Sequence, residues 1–359
     1  MACKTIIWLG VIVLWGVLDK QGFVHGEPQV PCFFIFGDSL SDNGNNNNLL
    51  TSAKVNYQPY GIDFLTGPTG RFTNGRTGVD IIAELLGFNN LIPPFATADG
   101  LDILKGVNYA SGGSGIRDET GQNLGAHISL GLQLIHHKVT ISRITKTLRR
   151  NDIAEEHLNK CLYYVGIGSN DYVNNYFMPQ FYPTSRLFSL QQYAGVLIDQ
   201  YSLKLRALHQ LGARKFALVG LGLIGCTPNA LFSNGRNGTS CVEEMNSAVQ
   251  IFNDKLKSLV DQLNNELSDA KFIYVNTTAL LSGDLTSAGF KVFNVGCCPV
   301  GKNGLCIPSQ TPCQNRTEYI FWDSFHPTEP VNKIAATRSY KASGPFDTYP
   351  IDISGLVQQ

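Results

Sequence analysis

Residues 33–48 read FFIFGDSLSDNGNNNN. The apolar run Phe33–Phe36 stops at Gly37-Asp38-Ser39, and a polar, Asn-rich tract follows. Consecutive apolar residues rich in Phe predict a strand buried on both faces, the pattern of a parallel sheet. Gly37 supplies a backbone that can turn sharply. Ser39 is thereby left near the carboxyl end of the strand, the edge at which open α/β sheets bind ligands. The same serine has a plainer reading as the cap of a following helix, because Ser, Asp and Asn are favoured there. The rest of the chain has to separate cap from nucleophile.

Similar β-favouring runs recur at Val107–Ala110, Leu162–Ile167, Phe216–Leu221 and Phe272–Val275. Apolar residues spaced three and four apart predict helices near Val79–Leu86, Tyr193–Leu211 and Val242–Leu267. The intervals exceed the dozen or so residues that a parallel crossover requires. They predict an α/β fold with one five-stranded, mainly parallel sheet and helices on both faces. With no internal repeat and no dividing linker, residues 27–359 are expected to form a single domain. Between the first two runs lie the turn-forming block GPTGRFTNG (67–75) and the segment 89–95 with Pro93-Pro94, the kind of loop that carries binding residues. The tract Asn43–Asn48, five Asn in six residues, reads as a polar rim of the site.

Charge excludes some partners. Lys plus Arg and Asp plus Glu number 28 each, so no overall charge bias favours nucleic acid or anionic membrane. Residues 1–26 read as a signal peptide: Lys4 is followed by 13 uncharged residues, Ile6–Leu18, too few to span a bilayer comfortably. An uncleaved anchor is the lesser alternative. No second long apolar run follows, so a secreted, extracellular protein without integral membrane association is expected. Beyond Cys3, eight cysteines remain at 32, 161, 226, 241, 297, 298, 306 and 313. An even number in an exported chain predicts disulfides. The group 297, 298, 306 and 313 has a lesser reading as zinc ligands, but adjacent Cys-Cys lacks the usual knuckle spacing. Asn237, Asn276 and Asn315 stand in Asn-x-Ser/Thr acceptors, candidate glycosylation sites in an exported chain.

Three strand-end clusters bear on Ser39. Ala110-Ser111-Gly112-Gly113-Ser114-Gly115 lets backbone amides approach a ligand, and Gly168-Ser169-Asn170-Asp171 brings a side-chain amide to the same edge. Trp322-Asp323-Ser324-Phe325-His326-Pro327 sets a carboxylate and an imidazole three residues apart before a helix opened by Pro327 and Thr328. Each alone reads as a turn, a flexible loop or a cap. Together they fit acyl transfer: Ser39 attacks a carbonyl, His326 takes its proton, and Asp323 orients the imidazole. The amides of Ser39 and Gly112, with the Asn170 side chain, would receive the oxyanion.

The blocks GDSL (37–40), the glycine cluster 111–115, Gly168-x-Asn170-Asp171 and Asp323-x-x-His326-Pro327 resemble those of the GDSL, or SGNH, hydrolases. The longer forms FGDSLSDNGNNN, GRFTNGRT, VNYASGGSGI, GIGSNDY and WDSFHPTE look like the plant GDSL esterase/lipase branch. The resemblance covers nearly all of the chain after the signal. It implies Ser39 as nucleophile, Gly112 and Asn170 as oxyanion donors, and Asp323 and His326 completing the triad, the choice between Gly112 and its neighbour Gly113 staying open. It also implies a flavodoxin-like three-layer α/β/α sandwich; no cofactor and no metal are expected. The substrate expected is a small-molecule, lipid or polymer-linked acyl ester. Two alternatives stand beside this carboxylester hydrolase: an acyltransferase using the same acyl-enzyme, and a non-hydrolytic lipid- or polysaccharide-binding protein. Gly220–Gly225 formally satisfies GxGxxG, but Cys226-Thr227-Pro228 follows where a phosphate-binding helix should continue. No Gly-x-Ser-x-Gly occurs, which argues against the α/β-hydrolase nucleophile elbow.

Overall fold

The computed structural model describes residues 26–233, 240–281 and 285–359. The signal segment, except its last residue, and Asn237 lie outside them. A five-stranded sheet contains β1 (Phe33–Gly37), β2 (Leu162–Gly166), β3 (Lys215–Val219) and β4 (Lys271–Val275), in that order and all parallel. A second, two-stranded sheet pairs β5 (Val292–Gly296) with β6 (Tyr319–Phe321). The main sheet ends on β7 (Thr348–Tyr349), antiparallel to β4.

Strand alternation divides β1 between two cores. Phe34 and Phe36 enter a cluster with Tyr109, Leu134, Tyr163 and Leu197, whereas Phe33 and Ile35 join Val79, Ile82, Leu86 and Ala336 on the opposite face. The first core is covered by the helices Leu130–Leu148, Leu190–Gln210 and Glu243–Glu266. The second is covered by the helices Gly78–Leu85, Glu329–Tyr340 and Ile353–Val357. The result is a three-layer α/β/α arrangement. In Glu243–Glu266 the buried residues Met245, Val249, Phe252, Leu256, Leu259 and Leu263 recur at the helical period. Ser189 and Gln192 form a capping box that starts Leu190–Gln210.

The expected strand at Val107–Ala110 is not a regular strand. It follows the free edge of β1, with Ile35 N–H donating to Val107 O (3.1 Å) and Tyr109 N–H to Ile35 O (2.8 Å), but only Asn108 forms a ladder bridge there. The Asn108 side chain diverts the pattern: its Oδ1 accepts the Ala110 amide and its Nδ2 donates to Ser41 O. The fifth strand of the sheet is instead β7. Because the 107–111 segment flanks β1 on one side and β2 on the other, the chain reverses its direction of travel at β1. That is a topological switch point, and Ser39 follows it directly.

All eight described cysteines pair, as Cys32–Cys161, Cys226–Cys241, Cys297–Cys313 and Cys298–Cys306. The group 297, 298, 306 and 313 thus spends its sulfurs in two disulfides. Among the described residues no helix is long and apolar enough to cross a membrane.

Candidate active site

Ser39 owes its position to the way β1 ends. A Cβ on Gly37 would meet Gly166 O at 2.8 Å, so glycine alone lets β1 and β2 finish this close together. Beyond the ladder, both polar groups of Gly37 are claimed by the buried Gln133 side chain, with Gly37 N–H to Oε1 at 3.0 Å and Nε2 to Gly37 O at 2.8 Å. The backbone then turns, Ser41 and Asp42 both donating to Asp38 O. Ser39 is left half-buried with its Oγ 2.8 Å from His326 Nε2.

His326 and Asp323 lie between β6 and the helix Glu329–Tyr340. Asp323 Oδ1 accepts the backbone N–H groups of Phe325 and His326, each at 2.8 Å, which folds the segment back on itself. That fold sets His326 Nδ1 at 2.9 and 2.8 Å from the two carboxylate oxygens. Phe72 packs on the imidazole with ring centroids 4.8 Å apart. Asp323 is fully buried.

Asn170 stands on the first turn after β2. Its Nδ2 donates to Ser114 O (3.0 Å) and its Oδ1 accepts from Asn174 (2.6 Å), which fixes the amide and leaves one Nδ2 proton over. Ser39, His326, Asn170 and Gly113 line one cavity of about 130 Å³, walled by Phe72, Leu124, Val173, Ile224, Leu305 and Phe325.

Gly112 behaves differently from expectation. Its N–H donates to Asp42 Oδ2 at 2.9 Å, so its amide is committed inside the loop and is not offered to a ligand. Gly113, at φ +82°, is the glycine that reaches the cavity. The amides of Ser39 and Gly113 have no acceptor among the described residues.

Burial pushes the Asp38, Asp42 and Asp171 carboxyls each up to about 6, against the pull of the amides they accept. Asp42 gathers Gly44, Asn45 and Gly112, and Asp171 gathers Ile116, Arg117 and Thr120. These two acids hold the glycine loop against the strand ends.

The Asn tract is not a rim. Asn43, Asn45 and Asn46 are buried, and their amides answer backbone carbonyls of three neighbouring loops, at Ile92, Asn108, Ala110, Ala53 and Gly112. Gly220–Gly225 serves packing: a Cβ would strike Tyr274 Oη (2.6 Å) at Gly220 and Val242 O (2.3 Å) at Gly225. Of the acceptor asparagines, Asn315 is exposed, and half-buried Asn276 caps a short turn by accepting Ala279 N–H. Sequence reasoning also missed Tyr60, which touches Asp323 from 263 residues away and stands in no motif.

The family model described as GDSL-like Lipase/Acylhydrolase matches residues 33–338. GDSL esterase/lipase At1g29670 of Arabidopsis thaliana is 55% identical over 357 residues, 98% of each chain. At1g29660 of the same plant is 52% identical over 97% of each, and At4g30140 is 46% identical over 98% of this chain and 97% of its own. Fold and similarity make this chain an α/β carboxylic ester hydrolase. It belongs to the GDSL-like lipase/acylhydrolase family.

Proposed function

We propose that the chain is a secreted serine esterase that works through an acyl-enzyme on Ser39. The observation that carries this reading is the continuous chain Ser39 Oγ to His326 Nε2 (2.8 Å) and His326 Nδ1 to Asp323 (2.8 Å) at the mouth of the cavity. Hydrogen bonding at Nδ1 fixes the tautomer, so that Nε2 carries the lone pair facing the serine hydroxyl. As Ser39 Oγ bonds to the ester carbonyl carbon, its proton passes to His326 Nε2 and the imidazolium is stabilised by Asp323. Negative charge moves to the carbonyl oxygen, where the N–H groups of Ser39 and Gly113 and the spare proton of Asn170 can receive it. The tetrahedral species collapses by breaking the bond to the alcohol oxygen, which takes the proton from His326. Water repeats the sequence on the acyl-enzyme and releases the acid.

The apolar cavity wall suits an uncharged acyl or alkyl group, in a small-molecule, lipid or polymer-linked ester. Residues 1–26 would be removed on export, leaving 27–359 as one hydrolase domain. Ser39→Ala should reduce turnover of a short-chain chromogenic ester to background with the melting temperature unchanged. A variant that still turns over at the wild-type rate would refute the assignment. Mass spectrometry of the protein treated with a serine-directed phosphonate should place the adduct on Ser39. Amino-terminal sequencing of the protein from culture medium tests the export reading.

A further inference from the structure

We infer that Tyr60 is a fourth, positioning member of the Ser39–His326–Asp323 chain, holding Asp323 in place and setting how strongly it attracts the proton on His326. The inference rests on the triad reading above. Asp323 is wholly buried, and its only ion-pair partner among the described residues is His326. A carboxylate in such a place must be held by hydrogen bonds. Besides His326 Nδ1, two come from the backbone N–H groups of Phe325 and His326, and the remaining one comes from the Tyr60 hydroxyl at 2.7 Å from Oδ2.

The direction of that bond is fixed. The Tyr60 oxygen accepts the Cys306 N–H at 3.0 Å, and a backbone amide can only donate. The single phenolic proton therefore belongs to Asp323. Burial and the neighbouring carboxylate push the phenol well above its ordinary value, so the proton stays on throughout the working pH range. Cys306 is itself anchored, by the disulfide to Cys298, whose N–H donates to Trp322 O. The ring of Tyr60 packs edge-on against Tyr57, Phe72 and Trp322. A phenylalanine at 60 keeps those contacts and removes only the hydroxyl.

A donated hydrogen bond draws charge out of the carboxylate and weakens its pull on the imidazole proton. The other titratable groups facing the pair are Asp38, against His326, and Tyr57, against Asp323. Without the Tyr60 hydroxyl, Asp323 becomes a stronger acceptor and its hold on the imidazole proton tightens. The carboxylate also loses a fixed point, and Cys306 N–H is left buried without an acceptor.

The test is steady-state hydrolysis of a soluble chromogenic ester by Tyr60→Phe, and by protein in which the Tyr60 phenol carries one or two ring fluorines. Tyr60→Phe should lower kcat about tenfold at pH 7 with KM within about twofold, and move the acid limb of kcat/KM upward by about 0.3 pH unit or more. Fluorination strengthens the donor without changing its shape, so the acid limb should step downward with each fluorine while the melting temperature holds. Should Tyr60→Phe fail to fold, the fluorinated series decides alone. An acid limb that stays fixed across that series overturns the inference, as does a folded Tyr60→Phe with wild-type kcat. Ser39→Ala run in parallel separates the two claims: loss of turnover there, with no effect at Tyr60, removes Tyr60 and leaves the triad standing. Turnover surviving in Ser39→Ala removes both.

Discussion

Asp38 is buried one residue before Ser39, with Oδ1 accepting the Leu40 amide and its charge felt by His326. Its carboxyl, raised by burial to about 6, is more basic folded than unfolded, where the ordinary value is 3.8. The stability this represents is fully present below about pH 3.8 and is lost as pH rises through 6. Asp38→Asn should therefore gain melting temperature relative to wild type as pH goes from 4 to 7. A difference that stays constant across that window would show that Asp38 does not titrate there. The same ionisation favours the His326 imidazolium, so the acid limb of kcat/KM should move to lower pH in the variant. Asn170 presents a different residue-scale case, because its amide is already fixed by Ser114 and Asn174. Removing one preorganised oxyanion donor costs roughly 10²–10³ in kcat. Asn170→Ala should show that loss with KM little changed, whereas a decrease below about threefold would make it a turn residue only.

At the scale of elements, the end of β1 depends on the helix Leu130–Leu148, whose Gln133 replaces a missing sheet partner for Gly37. Gln133→Leu leaves Gly37 N–H buried and unpaired, at a cost of about 1–3 kcal/mol. The melting temperature should fall accordingly, and kcat should fall further than stability predicts, since the strand exit aims Ser39. A stable variant with unchanged kcat would make the contact purely structural. This helix is absent from the sequence reading, whereas β1 to β4 are legible except for the misplaced run at 107–110. The reason is burial: strands covered on both faces must be continuously apolar, and Phe33–Phe36 or Phe272–Val275 announce themselves. Two-residue β7 sits at an edge and has too little sequence to carry a pattern. Val107–Ala110 has strand-like residues, but Asn108 spends its side chain on the backbone that a ladder needs. The Asn tract misleads for a related reason, since its polarity answers loop carbonyls and not solvent. Ser39 and Asn170 are legible because each follows a parallel strand at the carboxyl edge of the main sheet, and Asp323 and His326 because they follow β6 of the second sheet as a compact Asp-x-x-His turn. Gly112 and Gly113 are not separable in the sequence, because the contact with Asp42 and the access to the cavity that distinguish them arise only in the folded loop.

At the scale of the molecule, the disulfides serve two ends of the sheet. Cys32 and Cys161 immediately precede β1 and β2, away from the carboxyl edge where Ser39 lies, and they close a span of 129 residues. Cys298–Cys306 closes only 8, but it holds Cys306 against Tyr60 and frames the stretch that brings Asn303 and Leu305 to the cavity wall. In the chain-entropy account the stabilisation grows as 1.5RT ln n, so the long closure is worth about 2.5 kcal/mol more than the short one. Stability and activity should accordingly separate. Replacing Cys32 and Cys161 together by Ser should lower the melting temperature most, while the folded fraction keeps near-normal kcat. Replacing Cys298 and Cys306 together should cost less stability and more activity, because the Cys306 amide no longer fixes the Tyr60 hydroxyl and the cavity loses a wall. Thermal melts and kcat per folded molecule on the two double variants measure both quantities in one comparison. If the two variants lose activity only in proportion to their unfolding, the 298–306 loop is a scaffold like the other, with no special hold on Asp323.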